Sequence, residues 1–243
     1  MGRLAWVVLA LLASPVLALL ASPGNAQDPV LGASFAEPTS RYDHGILGDA
    51  VEYGLLRVET AAGQFEFRQP DSHVFEDFAP RLWDIDGDGD PEVVVVDTDL
   101  TKGARLAIYD QTGLLAATPY IGQPHRWLAP IGAADLDGDG RIEIALIDRP
   151  HLARVLRLMR LDHGALVEVA SIEGLTNHRI GDTYVSGGLR DCGEGAEVIV
   201  ANADWTLVMA VRFSPQGLSA RAIGPFAGPA DMREALECGQ QNP

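Results

Sequence analysis

Basic residues are scarce in this chain. Lys and Arg number 18 against 34 Asp and Glu, a formal net charge of -16. A nucleic-acid surface needs clustered Lys and Arg to neutralise phosphates and release counterions, so this balance argues against a nucleic-acid partner. Acidity of this kind suits cation binding or simple solubility, and the placement of the carboxylates decides between them. Catalytic motifs are missing as well: there is no Gly-x-Ser-x-Gly elbow, no zinc-spaced histidine set, no phosphate loop and no cofactor fingerprint. Beyond the N-terminal segment no apolar run is long enough to cross a bilayer, so no stable membrane span is expected after that segment is removed. What is present in quantity is apolar material, 47% of residues, enough for one large or two small cores and too much for a disordered chain.

The first 26 residues read as a processing segment. Arg3 supplies a positive charge, Leu4 to Ala13 is uninterrupted apolar sequence, Ser14-Pro15 breaks it, and Gly24-Asn25-Ala26 offers small residues for cleavage before Gln27. A secretory signal is expected, and a membrane anchor over Leu4 to Ala21 is the alternative. Removal of the signal places the protein outside the cytoplasm, as a periplasmic or secreted chain.

The remainder repeats. Trp83 to Val94 and Ala134 to Ala145 align without gaps around two acidic loops, and Leu189 to Ile199 is a worn third copy that keeps the Glu and the apolar tail. A second landmark repeats with them: His73-Val74-Phe75, His125-Arg126-Trp127 and His178-Arg179-Ile180. Each unit between landmarks reads as four short strands. In the clearest copy these are Ile131 to Asp137, Glu143 to Asp148, Arg154 to Asp162 and Leu166 to Ser171. Four strands recurring every 50 or so residues predict a small all-β propeller of about four four-stranded blades, with five blades or an incomplete ring as alternatives. The approximate units are 41–72, 73–124, 125–177 and 178–228 within a single domain over 27–243. Val30 to Glu37 is expected to pair with the final blade and close the ring. Ala230 to Glu237, in the tail 229–243, is expected to be a short helix.

The acidic loops carry the strongest chemistry. In Asp-x-Asp-x-Asp-Gly-x-x-Glu the alternating carboxylates point into one concavity and the Gly permits a sharp turn. A main-chain carbonyl at position 7 adds a ligand, and the Glu at position 9 closes the shell. Hard oxygen donors in a flexible loop suit calcium. A helix-loop-helix calcium site is excluded, because position 12 holds Val95 and Leu146 where that loop needs a bidentate Glu, and both flanks are strand-like. The alternative is a solvated acidic turn, which places three like charges side by side in each loop without compensation.

These two loops make the chain resemble the integrin-type propeller repeats known as FG-GAP or VCBS-like repeats. The family loop, Gly-Asp-x-Asp-x-Asp-Gly-x-x-Asp/Glu between the first two strands of a blade, is similar to Ala133 through Glu143 here. The resemblance implies two structural calcium ions. One is held by Asp84, Asp86, Asp88, Glu92 and the Asp90 carbonyl, the other by Asp135, Asp137, Asp139, Glu143 and the Arg141 carbonyl. The first and last units lack these ligands.

Cys192 lies inside the worn third loop and Cys238 near the C-terminus. In an oxidising compartment two cysteines pair, and here the bond would staple the tail to the last blade where the metal is missing. Free buried thiols, or a bond to a partner protein, are the alternatives.

The His-Arg landmarks precede innermost strands, so in a closed ring they are expected to converge near the axis. His73, His125, Arg126, His178 and Arg179, with Arg41 and His44 at the start of the first unit, would form a local anion pocket for a carboxylate, a phosphate or an acidic sugar. The alternative is that each merely bonds a neighbouring blade. Two functional classes follow: a non-catalytic binding module of the cell envelope, meeting a glycan, a peptide or another envelope protein, or a hydrolase or lyase with an axial His/Arg pocket. An enzyme needs those side chains around one pocket, whereas a binding module leaves them in separate bonded pairs.

Overall fold

A computed structural model describes residues 28–238, and the expected signal over 1–26 lies outside them. The described residues are all-β and propeller-like, with one short helix at the end. The first unit contains β1 (Val30–Thr39), β2 (Glu52–Thr60) and β3 (Gly63–Arg68). The second contains β4 (His73–Phe75), β5 (Arg81–Trp83), β6 (Glu92–Asp99), β7 (Gly103–Asp110) and β8 (Gly113–Ala117). These two units share one eight-stranded sheet, because β4 pairs both with β2, at Tyr53 opposite Phe75, and with β6. The inner strand of the second unit is broken between β4 and β5, where the Asp77 carboxylate accepts the Val96 N–H at 3.2 Å in place of a ladder carbonyl.

The third unit is an unbroken four-stranded antiparallel sheet of β9 (Leu128–Ala134), β10 (Glu143–Asp148), β11 (Val155–Asp162) and β12 (Ala165–Glu173). The fourth has β13 (Leu175–Thr176) and β14 (Gly188–Asp191) side by side on β15 (Ala196–Asn202), followed by β16 (Leu207–Ser214) and β17 (Gly217–Pro225). Helix α1 (Pro229–Leu236) starts with Pro229 and the Asp231 carboxylate, which accepts the Ala227 and Gly228 N–H groups.

The sheets stack face to face, and the period-2 alternation of each central strand feeds two successive cores. Val93 and Val95 of β6 face the first unit, while Val94 and Val96 face the third. Ile144 and Leu146 of β10 look back to the second unit, and Ala145 and Ile147 look on to the fourth. Ile199 and Ala201 of β15 pack under α1 with Phe226 and Met232. Burial on both faces explains why these strands are continuous apolar runs.

The structure corrects one expectation. The N-terminal strand does not pair with the last unit; β1 lies antiparallel on β2, from Val30 opposite Thr60 to Thr39 opposite Glu52. Phe35 decides this, stacking on both Tyr53 and Phe75 with ring centroids 5.4 Å away from each. The outer face of the fourth unit is covered by α1 instead. First and last units meet through loops, where the Gly181 N–H donates to the Ile46 carbonyl at 3.3 Å. Gly48 lies in the left-handed region, and a Cβ there would stand 2.9 Å from the Gly181 carbonyl oxygen, so this approach requires glycine.

Candidate metal centre

Both complete acidic loops are turns between paired strands, 84–92 joining β5 to β6 and 135–143 joining β9 to β10. Each is wound around its first carboxylate. Asp84 accepts the N–H groups of Gly87 at 2.8 Å and Gly89 at 3.1 Å, and Asp135 accepts those of Gly138, Asp139 and Gly140 at 2.7 to 3.1 Å. The closing Glu reaches back across the turn: Glu92 accepts the Ile85 N–H at 2.7 Å and Glu143 the Leu136 N–H at 2.9 Å. Gly87 and Gly138 sit at φ 79° and 78°, the left-handed positions that make the turn possible.

This winding brings donors together. One ligand oxygen from each of Asp84, Asp86 and Glu92 lies within 4.8 Å of the others, and the same holds for Asp135, Asp137 and Glu143. The third carboxylate of each loop stands outside its trio: Asp88 accepts the Asp90 N–H and Asp139 the Arg141 N–H. The Arg141 side chain pairs with Asp162 at 2.8 Å.

The two trios differ in what faces them. Among the described residues no Lys or Arg pairs with the carboxylates of loop 84–92, and a concavity of about 460 Å³ there is rimmed by Asp28, Asp86, Asp88, Asp90, Glu92 and Asp110. Burial, with the charges of Asp86, Asp88 and Asp84, pushes Glu92 up to about 7. An uncompensated set of hard oxygens fits a divalent cation such as calcium. In loop 135–143 the buried Arg160, opposite Glu143 in the β10–β11 register, already supplies a cation. Its guanidinium bonds Glu143 at 2.5 Å and Asp139 at 3.0 Å, with Asp137 at 3.4 Å. Sequence reasoning missed Arg160, because only the hairpin register places it beside a loop 17 residues earlier.

These loops lie within a segment that is similar to a known sequence family. The FG-GAP-like repeat matches the chain over residues 84–146, from the first Asp of loop 84–92 into β10. This segment is similar to an FG-GAP-like repeat. Comparison with curated proteins and with solved structures finds no match. The repeat spans both acidic loops and the β9–β10 turn that carries the second.

The worn third loop keeps the turn and replaces the ligands. Asp191 accepts the Gly193 N–H at 2.8 Å, as Asp84 and Asp135 do in their loops. Glu197, the counterpart of Glu92 and Glu143, is bonded by Arg190, Arg212 and Arg221, and although burial opposes it these bonds hold its carboxyl down at about 2. Cys192 and Cys238 form a disulfide across 46 residues, so the tail is stapled to this loop.

The His-Arg landmarks do not gather into one ring. His73 faces Asp99 at 3.6 Å and Tyr120, and Arg41 donates to the His73 carbonyl at 2.9 Å, a bond between neighbouring units. Arg179 lies over the rings of Trp205 and Phe226. His178 is buried, with Nε2 on the Asp182 carbonyl at 2.9 Å. His125 and Arg126 do open on a shared cavity, together with His44 and with His151, which the repeat pattern does not mark.

Proposed function

We infer that the chain is an exported, calcium-stiffened β-propeller of about four blades, one domain over 27–243, serving as a non-catalytic interaction module of the cell envelope. The observation that carries this reading is the convergence of Asp84, Asp86 and Glu92 at a strand-to-strand turn similar to an FG-GAP-like repeat, with no Lys or Arg among the described residues paired with them. Calcium bound there supplies charge neutralisation and locks the turn, so its binding adds to folding stability. The second trio is a weaker calcium site that Arg160 contests. The disulfide and the apolar N-terminal segment support export through an oxidising compartment.

The separation of His73 and Arg179 from the other landmarks favours a binding module over a hydrolase or lyase with an axial His/Arg pocket. Its partner is an envelope protein, a glycan or a peptide. The test is thermal unfolding of the mature chain under non-reducing conditions, in excess calcium and then in chelator. A calcium-dependent rise in Tm that is lost in the double variant Asp86→Ala, Asp137→Ala is expected. An unchanged Tm overturns the metal assignment.

A further inference from the structure

Four of the six histidines, His44, His125, His151 and His178, gather at the end of the β9–β10 hairpin opposite to the acidic loop. There the first unit's loop after β1 meets segments that precede β9, follow β10 and follow β13. Between them lies a cavity of about 190 Å³, with His44, His125, His151, Arg126 and Arg149 in its lining; the nearby carboxylates are already bonded, Glu76 to His44, Asp43 to His125 at 2.7 Å and Asp148 to Arg149. In a chain of net charge -16 such a lining is an unusual composition.

Internal bonding sets what each group offers. Glu76, fully buried, holds the His44 Nδ1 on one carboxyl oxygen and accepts the Thr98 hydroxyl on the other at 2.7 Å, while its carbonyl accepts the Trp127 Nε1–H at 2.8 Å. One buried residue thus fixes both His44 and Trp127. Burial raises the Glu76 carboxyl and lowers the His44 imidazole, so desolvation disfavours charge on both partners. His178 must donate Nε2–H to the Asp182 carbonyl, so its Nδ1 accepts Nε2–H from His151 at 3.0 Å. Arg149 is already chelated by Asp148, with both contacts at 2.8 Å. Arg126 donates only to the neighbouring His125 carbonyl, at 2.8 Å, and pairs with no carboxylate among the described residues.

The rest of the wall is apolar. Trp127 and Ile46 are buried in it, and Leu152 and Ile180 stand on it with 62% and 70% of their surface in water. Exposed aliphatic side chains beside an uncompensated guanidinium match a ligand with an anionic head and a short apolar body. The volume is below the range of roughly 300 Å³ and upward that holds drug-sized molecules, so the group taken in is small.

We propose that this cavity binds a carboxylate attached to a short aliphatic group, with Arg126 on the carboxylate and Ile180 and Leu152 against the aliphatic part. A free branched-chain acid and the C-terminus of a peptide ending in an aliphatic residue present the same chemistry. The site goes beyond the calcium-stiffened module inferred above and sits away from the acidic loops.

Calorimetric titration of the full mature chain in calcium tests it, with isovalerate, N-acetyl-Gly-Gly-Leu, the amide of that peptide and inorganic phosphate as probes. Saturable binding of isovalerate or of the free-acid peptide is expected, with none by the amide and phosphate at least tenfold weaker. Binding of the peptide alone assigns the source as a chain terminus, and binding of isovalerate assigns a free acid. Arg126→Gln is expected to weaken binding at least tenfold and Ile180→Ser about threefold, each with the calcium-dependent Tm unchanged. Absence of binding by both carboxylates, phosphate equal to isovalerate, or undiminished affinity in Arg126→Gln overturns the proposal. The calcium response, read on the same samples, reports separately on the metal assignment.

Discussion

Loops 84–92 and 135–143 share a sequence pattern, a turn and a set of converging carboxylates, yet they solve the same electrostatic problem differently. In the first, three carboxylates face one another and no Lys or Arg among the described residues pairs with them. In the second, Arg160 crosses from β11 and bonds Glu143 and Asp139, with Asp137 in reach. The β6–β7 register explains the difference. Val93 lies opposite Tyr109, so Asp110 is the residue beside Glu92, in the place that Arg160 takes beside Glu143. Among the described residues the first loop thus has no cation of its own, and the other carries one. The third loop has gone further: Glu197 is surrounded by three arginines, and a disulfide ties the turn to the tail. Along the chain the number of arginines on the closing glutamate rises from none on Glu92 to one on Glu143 and three on Glu197 among the described residues.

The largest effect is expected at the third loop. Replacing both Cys192 and Cys238 with Ser frees a loop of 46 residues, and the chain-entropy model puts that loss at about 4 kcal/mol. Denaturant unfolding in chelator measures it. If the staple substitutes for the missing metal, calcium will not restore the lost stability; restoration by calcium would show that the third loop still binds the ion.

Next comes Arg160. Arg160→Met removes the cation that bonds Glu143 and leaves a buried carboxylate beside Asp137 and Asp139. Breaking a buried pair in this way costs about 3 kcal/mol, at the lower end because Asp139 reaches water. In excess calcium most of that loss is expected to return, because the variant loop now resembles loop 84–92. Calcium stoichiometry by calorimetry sharpens the point: a second tight site appears in the variant. A loss that calcium does not reverse would mean that Arg160 serves packing and not charge.

How much of this was written in the residue order differs by feature. The acidic turns were legible because every group that shapes them lies within nine residues and the glycines mark the left-handed positions. The strands β10 and β11 were legible from apolar runs and alternation. The pairing of β1 was not, since Val30 to Thr39 has a strand pattern that suits either edge, and only the stacking of Phe35 between Tyr53 and Phe75 selects β2. The two halves of the His44–Glu76 pair lie 32 residues apart in the chain and share no periodicity. Arg160 is an ordinary basic residue of an alternating strand until the hairpin register is known. Local chemistry was visible, and cross-strand chemistry was not.

At loop 84–92 a smaller effect is expected. Asp86→Asn replaces an anionic ligand by a neutral amide oxygen and removes one of the like charges that push Glu92 up. In chelator the variant should match or slightly exceed the parent in stability. In calcium at about 100 times its Kd the parent gains about 2.7 kcal/mol that the variant lacks. Asp137→Asn is expected to change the calcium response far less, because Arg160 already competes there. Equal losses from the two substitutions would erase the distinction between the loops.

The smallest effect is the pH dependence, because the rims of these turns are wet and salt-screened. The two closing glutamates should move stability in opposite directions. Glu197 has its folded pKa depressed from the ordinary value near 4.5 to about 2, so its contribution is present above 4.5 and is lost as pH falls through 2. Glu92 is raised to about 7, so in chelator its ionisation costs the fold stability as pH rises from 4.5 to 7. Calcium favours the ionised carboxylate and should remove the second slope while leaving the first. Unfolding free energies at pH values from 2 to 8, with calcium and with chelator, separate the two. Glu92→Gln should abolish the calcium-sensitive limb alone. If that limb survives the substitution, the carboxylate that calcium neutralises is not the one that closes the first loop.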